Sequence, residues 1–283
     1  MANTCCAQGT IHIRSQPVGE VKKLHGYDCY ISTPPAEATT KGIIIFIPDA
    51  FGWEFPNNRL LSDAYARSGY LTYLPEFMAG TAAPAFLMEK IGALEKSDTG
   101  ILAKVSIFAT FLWHFIPWKI RNRPAVCQPR IWEFIEGVRA SEEAKDKKIG
   151  AAGFCWGGKF VFLLCGSQGK GKDGKWLIDA GFTAHPSNLT IPWDIEDVQV
   201  PISVAAAEND MGLSTEKTNE IRTILAKKTE KAEPECELVD YRGAHHGFAV
   251  RGDEGEEAME RMDKCKDQAV NWFAKRFAKD TQS

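Results

Sequence analysis

Cys155 stands in the run Gly153-Phe154-Cys155-Trp156-Gly157-Gly158, with glycine two places before it and two places after it. That spacing suits a nucleophile held on a sharp turn from strand to helix, where a Cβ at either flanking glycine would collide with its neighbour. A thiol at such a turn also lies near the positive end of a helix dipole, which favours the reactive thiolate. The same segment is open to a plainer reading, a buried cysteine among glycines that let a helix pack on a strand. A nucleophile of this kind needs a base and an acid to orient the base, following it in the order nucleophile, acid, base on loops after later strands. Residues 201–207 read as a strand and run into Glu208-Asn209-Asp210, so Asp210 falls at a strand's carboxyl end, with Glu208 as the competing carboxylate. Asp210 also suits the capping of a turn. Residues 236–241 read as a further strand leading to Arg242-Gly243-Ala244-His245-His246-Gly247-Phe248, which offers two histidines for the role of base. The chemistry in prospect is acyl transfer to sulfur.

Several elements must hold these groups in place. Residues 42–48 (GIIIFIP) form a continuous apolar run suited to a central strand, 57–68 have helical spacing, and 70–75 read as the next strand. Residues 129–144 carry Ile131, Phe134, Ile135 and Val138 at helical spacing; 148–152 enter the cysteine turn and 159–165 continue the helix behind it. Further strands are expected at 178–184, 201–207 and 236–241, with helices at 214–228 and 256–279. Strand and helix alternate as in a mostly parallel sheet covered by helices on both faces, with a helical insertion after the second βα unit. The expected organisation is an N-terminal tail and edge segment over 1–25, then one domain over 26–283 with a lid-like insertion at about 82–123.

The insertion holds the most apolar stretch, 100–118 (GILAKVSIFATFLWHFIPW). Lys104 and His114 interrupt it and it is expected to stop at Pro117, so it reads as a covering helix or an ordinary core helix and not as a membrane span. The long connection is too apolar to be disordered, which points to a lid or pocket wall.

At 283 residues, 44% hydrophobic and 25% charged, the chain can bury a large core. Its net charge of −3 and the lack of a basic stripe set nucleic acid aside as a partner. Eight cysteines without C-x-x-C pairs and a polar N-terminus suggest a reduced, cytoplasmic protein, with Cys5 and Cys6 on a loose tail. Cys165 lies ten residues beyond Cys155, about 15 Å along a helix, too far for a disulfide partner in redox chemistry. No Cys/His/Asp cluster at ligand spacing calls for a metal, and 167–175 (SQGKGKDGK) lacks the spacing of a phosphate loop, so no cofactor is expected. The expected partner is a small ester, lactone or thioester bound by a monomer or homodimer, without a membrane.

Taken together, Ile47-Pro48-Asp49-Ala50-Phe51-Gly52, the cysteine turn, Glu208-Asn209-Asp210 and His246-Gly247-Phe248-Ala249 with Arg251 resemble the dienelactone hydrolases, fungal type, within the α/β-hydrolase superfamily. The resemblance spans nearly all of the chain from about residue 27. It implies an α/β-hydrolase fold, with Cys155 as nucleophile, Asp210 as acid and His246, the one before Gly-Phe, as base. It implies substrate contacts from Arg251, Phe51 and Trp53. Asp49 takes the place of a family glutamate that tunes the nucleophile, with a shorter side chain; its other reading is a strand-end Asp that ties loop amides. Backbone N–H groups of Ala50 and Trp156 are the expected oxyanion hole. A thiolate leaves more readily than an alkoxide, so activated esters, enol lactones and thioesters are favoured over peptides. The alternative is a non-catalytic ligand-binding or scaffold protein on the same fold.

Overall fold

The computed structural model describes residues 16–88, 100–230, 234–251 and 255–278; the tail bearing Cys5 and Cys6 and part of the insertion lie outside them. Eight strands form one sheet: β1 (Glu20–Leu24), β2 (Tyr27–Ser32), β3 (Gly42–Ile47), β4 (Tyr70–Pro75), β5 (Ile149–Phe154), β6 (Ala180–Ala184), β7 (Ile202–Asn209) and β8 (Cys236–His245). Their order is β1-β2-β4-β3-β5-β6-β7-β8. β1 and β2 are antiparallel to their neighbours, whereas β4, β3, β5, β6, β7 and β8 run parallel. This mixed sheet with helices on both sides is an α/β-hydrolase fold.

The central strands are apolar throughout because both of their faces are covered: β3 and β5 are buried at every residue. The helices are α1 (Pro56–Arg67), α2 (Ile101–Arg121), α3 (Pro124–Arg139), α4 (Trp156–Cys165), α5 (Trp193–Glu196), α6 (Thr215–Glu230), α7 (Phe248–Arg251) and α8 (Glu256–Phe277). α1, α7 and α8 pack together, while α4, α5 and α6 pack in succession. Alternation along β5 shows the two faces: a Cβ on Gly150 would run into Phe273 of α8, and one on Gly153 into Val161 of α4. Small residues in the sheet let both helix layers approach closely.

Four expected boundaries are corrected. The helix expected from residue 129 starts at Pro124, where a proline fits the first turn because its missing N–H would have no intrahelical acceptor there. The apolar helix continues through Pro117 to Arg121; the lost bond involves the carbonyl of Trp113, a residue 79% exposed, where water can serve it. The strands expected at 201–207 and 236–241 extend to Asn209 and His245, so Asp210 and His246 are each the first residue beyond a strand.

The buried Asp63 fastens α1 to the antiparallel edge. Its carboxylate accepts from Tyr30 Oη (2.9 Å), Ser32 Oγ (2.7 Å) and the Val18 amide (2.9 Å). Burial, aided by that neighbouring carboxylate, pushes the Tyr30 phenol up to about 12, so it remains a donor. Replacing Asp63 by alanine is expected to cost about 3 kcal/mol in chemical denaturation, because several buried donors lose their acceptor at once. A loss of less than about 0.5 kcal/mol would show that the clamp contributes little.

Candidate active site

Cys155 sits between β5 and α4 with φ 52° and ψ −110°, in the left-handed half of backbone space that non-glycine residues rarely enter. The flanking glycines explain how this is tolerated. A Cβ on Gly153 would come within 2.5 Å of the Gly157 carbonyl oxygen, and one on Gly157 would collide with the Ile47 carbonyl of β3. Three backbone bonds fix the turn: Cys155 N–H donates to Ala184 O (3.2 Å), and its carbonyl accepts from Gly158 N (3.1 Å) and Ser187 N (2.9 Å).

His246 Nδ1 lies 2.9 and 2.8 Å from the two carboxylate oxygens of Asp210, and both side chains are buried. Asp210 Oδ1 also accepts from the amides of Gly212 (2.7 Å) and Leu213 (3.2 Å), so the carboxylate that orients the imidazole is itself held by its loop. Burial, the largest single influence on His246, pulls its pKa down. The opposing charges of Cys155 and Asp210, with hydrogen bonds to both, outweigh it and hold the imidazole well above its ordinary range. The three side chains thus form one electrostatic unit. His245 is exposed at the end of β8, and Glu208 is exposed and accepts from the Gly243 amide, which separates both from that unit.

Trp156 is the first residue of α4, so its N–H belongs to the terminal amides that have no intrahelical acceptor. Ala50 lies three residues beyond β3 and is buried. The parallel register Ile47↔Gly153 sets the two loops side by side. The Trp156 indole donates to Asn122 O (2.7 Å), which ties the end of α2 to the cysteine turn. Beside it lies a cavity of 210 Å³ walled by Trp118, Asn122, Trp156, Lys159 and Phe160. The insertion therefore abuts the cysteine turn through its C-terminal end. Of its aromatics, Phe111, Phe115 and Trp118 are buried in a stack, whereas Phe86, Phe108 and Trp113 are exposed.

Asp49 and Arg251 form a second buried ionic unit, with Arg251 Nη1 2.5 Å from Asp49 Oδ2 and both side chains wholly covered. Asp49 Oδ1 accepts from the Phe51 amide (3.1 Å) and Asn58 Nδ2 (3.0 Å), so the loop-tying part of its expected behaviour is present. The Arg251 guanidinium lies over the Phe51 ring at 5.0 Å, which makes those two expected substrate contacts neighbours of each other. Gly247, at φ 93°, gives this guanidinium its room, since a Cβ there would strike it. Trp53 is covered by Arg59, whose guanidinium lies 4.9 Å from its ring.

Two residues were absent from the sequence-based site. Ser187 Oγ lies 3.8 Å from Cys155 Sγ, and the His185 ring lies 5.0 Å from that of His246. Burial first, then the positive charges of His246 and Arg251, hold His185 well below the usual imidazole range, so it is neutral. Both lie on the loop after β6; its place at the carboxyl end of a parallel strand is the signal that would have found them.

A model described as the dienelactone hydrolase family matches residues 27–277. The chain is 29% identical over 275 residues to hydrolase tropI of Talaromyces stipitatus, covering 96% of this chain and 95% of that one. It is 26% identical to dienlactone hydrolase 1 of Gibberella moniliformis, covering 88% and 84%. A crystal structure of dienelactone hydrolase from Anabaena variabilis shares the fold, with a TM-score of 0.56 at 14% identity over 93% of this chain and 99% of that one.

Arg251→Met is expected to destabilise the protein by about 3–5 kcal/mol, because it leaves the Asp49 charge buried without its counterion. Asp49→Asn combined with Arg251→Met should recover most of that loss. Urea denaturation of both variants checks this, and a single substitution costing under about 1 kcal/mol would contradict it.

Proposed function

The chain belongs to the dienelactone hydrolase family, whose chemistry is hydrolysis of esters or lactones, and on that premise we propose that Cys155, His246 and Asp210 cleave an activated ester, enol lactone or thioester. The observation that carries the proposal is the buried His246–Asp210 pair, 2.8 Å apart, together with the strained turn that holds Cys155, and the charges of Cys155 and Asp210 raise the imidazole in keeping with it. This is the charge arrangement of a thiolate–imidazolium pair oriented by a carboxylate.

In the proposed cycle the Cys155 thiolate adds to the substrate carbonyl, and the backbone N–H groups of Ala50 and Trp156 take up the negative charge on oxygen. Collapse of this intermediate forms a thioester and expels the enolate, alkoxide or thiolate, which accepts the proton from His246. The now neutral imidazole removes a proton from water, hydroxide adds to the thioester, and the acid leaves as the thiolate re-forms. The intermediate partitions toward whichever group leaves more easily. A thiolate competes well with an alkoxide, so productive substrates carry leaving groups such as enolates or thiolates. Cys155 is fully covered, so entry of substrate requires local opening.

A scaffold or ligand-binding protein on this fold has no need of the left-handed backbone at Cys155, a strain that persists where surrounding structure enforces it and that gathers at functional sites. The proposed substrate is a small molecule, and the proposed setting is the cytoplasm, where free thiols persist.

Turnover of a panel of activated esters, enol lactones and thioesters tests the proposal. Cys155→Ala and His246→Asn should each fall by at least about a thousandfold while His245→Asn stays near wild type. Mass spectrometry of the quenched wild type should find the acyl group on Cys155. Full turnover by folded Cys155→Ala would refute the cysteine mechanism.

Ionisation, not exposure, should also set alkylation. Cys236 is 7% exposed and Cys155 is not exposed at all, yet burial pushes the Cys236 thiol up to about 11 and the Cys29 thiol up to about 12. Among the six described cysteines, iodoacetamide should therefore modify Cys155 first, and His246→Asn should slow it. The sign for stability follows from the raised imidazole: its contribution is fully present below about pH 6.5, the unfolded value, and is lost as pH rises through the folded value. The stability gap between wild type and His246→Asn should accordingly shrink in alkaline urea melts. A gap that widens there would contradict the assignment.

A further inference from the structure

α2 has the length and hydropathy of a membrane-spanning helix, yet only 17% of its most apolar window is buried. Phe111, Phe115 and Trp118 turn inward. Ile101, Leu102, Val105, Phe108, Trp113, Ile116 and Ile120 remain between 44% and 86% exposed. On a wheel of 3.6 residues per turn these seven fall within an arc of roughly 140°. They form one continuous apolar face, about 30 Å long at 1.5 Å per residue, with a tryptophan near its middle. Exposed apolar surface on this scale marks an interaction site.

Charge identifies the partner. Residues 100–132 contain Lys104, Lys119, Arg121, Arg123 and Arg130 and no Asp or Glu, in a chain whose net charge is −3. Lys119, Arg121 and Arg123 are exposed at the C-terminal end of the apolar face. A second copy docking through the same face would set the two basic ends against each other if the helices ran parallel, and beside an N-terminal half without Asp or Glu if they ran antiparallel, so neither arrangement gives those cations a carboxylate. An anionic lipid surface offers acyl chains to the apolar face and negative headgroups to its basic end. The helix cannot span a bilayer while Phe111, Phe115 and Trp118 stay packed in the protein and Asn122 holds the Trp156 indole.

We propose that α2 seats this protein on anionic lipid membranes, lying in the headgroup plane with Leu102, Val105, Trp113 and Ile116 in the acyl boundary and Lys119, Arg121 and Arg123 on the lipid phosphates. This departs from the expectation that no membrane is involved, which rested on Lys104, His114 and Pro117 interrupting a bilayer-spanning stretch. The seating is independent of the hydrolytic mechanism. Because Asn122 binds the indole of Trp156, it also sets the cysteine turn close to the membrane surface.

Cosedimentation of the full chain with vesicles of mixed phosphatidylcholine and phosphatidylglycerol tests the proposal. The wild type should pellet with these vesicles, and omitting phosphatidylglycerol should weaken binding about a hundredfold, the effect of three cations near an anionic surface. Leu102→Glu combined with Val105→Glu alters two exposed positions, so the thermal melt should be unchanged while binding falls at least about tenfold. Three results would overturn the proposal: no pelleting at low salt, equal affinity for vesicles lacking phosphatidylglycerol, or undiminished binding by the folded double variant. Sedimentation velocity without lipid adds a fourth, a dimer of the wild type that the same two substitutions dissolve, which would assign the face to a second copy. Esterase activity enters none of these readouts, so failure here leaves the hydrolytic reading standing and failure of the hydrolytic reading leaves this one.

Discussion

The site depends on one local constraint, the left-handed backbone of Cys155 between β5 and α4. Everything around it serves to enforce that conformation. Gly157 must lack a side chain because the β3 carbonyl of Ile47 occupies the space, and Gly153 must lack one because the Gly157 carbonyl does. The end of β6 and the loop after it hold the turn from the other side, through Ala184 O and Ser187 N. A conformation that is costly for an isolated residue is thus fixed by contacts from three strands. It leaves the sulfur ahead of the first helical turn of α4, whose amides stabilise negative charge.

Two buried ionic units and a neutral imidazole lie together behind that turn. Cys155, His246 and Asp210 make one, and Asp49 and Arg251 make the other. Each cation is matched to a carboxylate, as burial demands. His185 lies beside His246 and feels the positive charge of Arg251, and it is kept neutral by burial and by both. Gly247 links the units, since it follows His246 directly and makes room for the Arg251 guanidinium. The run His246-Gly247-Phe248 is therefore a packing requirement in its own right. Asn57 of α1 donates to Val250 O (2.9 Å), binding the same corner to the helix that follows the Asp49 loop.

The insertion has two faces with different fates. Its inward aromatics and Asn122 abut the cysteine turn, while its outward face stays apolar and exposed. A helix buried on one side only, whose other side is equally apolar, has a hydropathy that does not distinguish a core element from a surface-seeking one.

Much of the site was legible in the sequence because its parts are local. Glycines at fixed offsets from Cys155, a carboxylate just past one strand and a histidine just past the next are short-range patterns, and the strand order they imply places them at one edge of the sheet. Of the two adjacent histidines, His246 is buried against Asp210 and His245 is exposed, a difference that only the folded chain displays. Pro117 and Pro129 misled the reading of helix ends because a proline's effect depends on whether water or protein faces the carbonyl it leaves unbonded, which the sequence does not record. The partner of Arg251 lies 202 positions away at Asp49, and Ser187 reaches Cys155 across 32; such pairings exist only once the sheet is assembled. The outward face of α2 was decided in the same way. Its residues announce a hydrophobic helix, but only packing against the finished body determines which of them remain for a partner to cover.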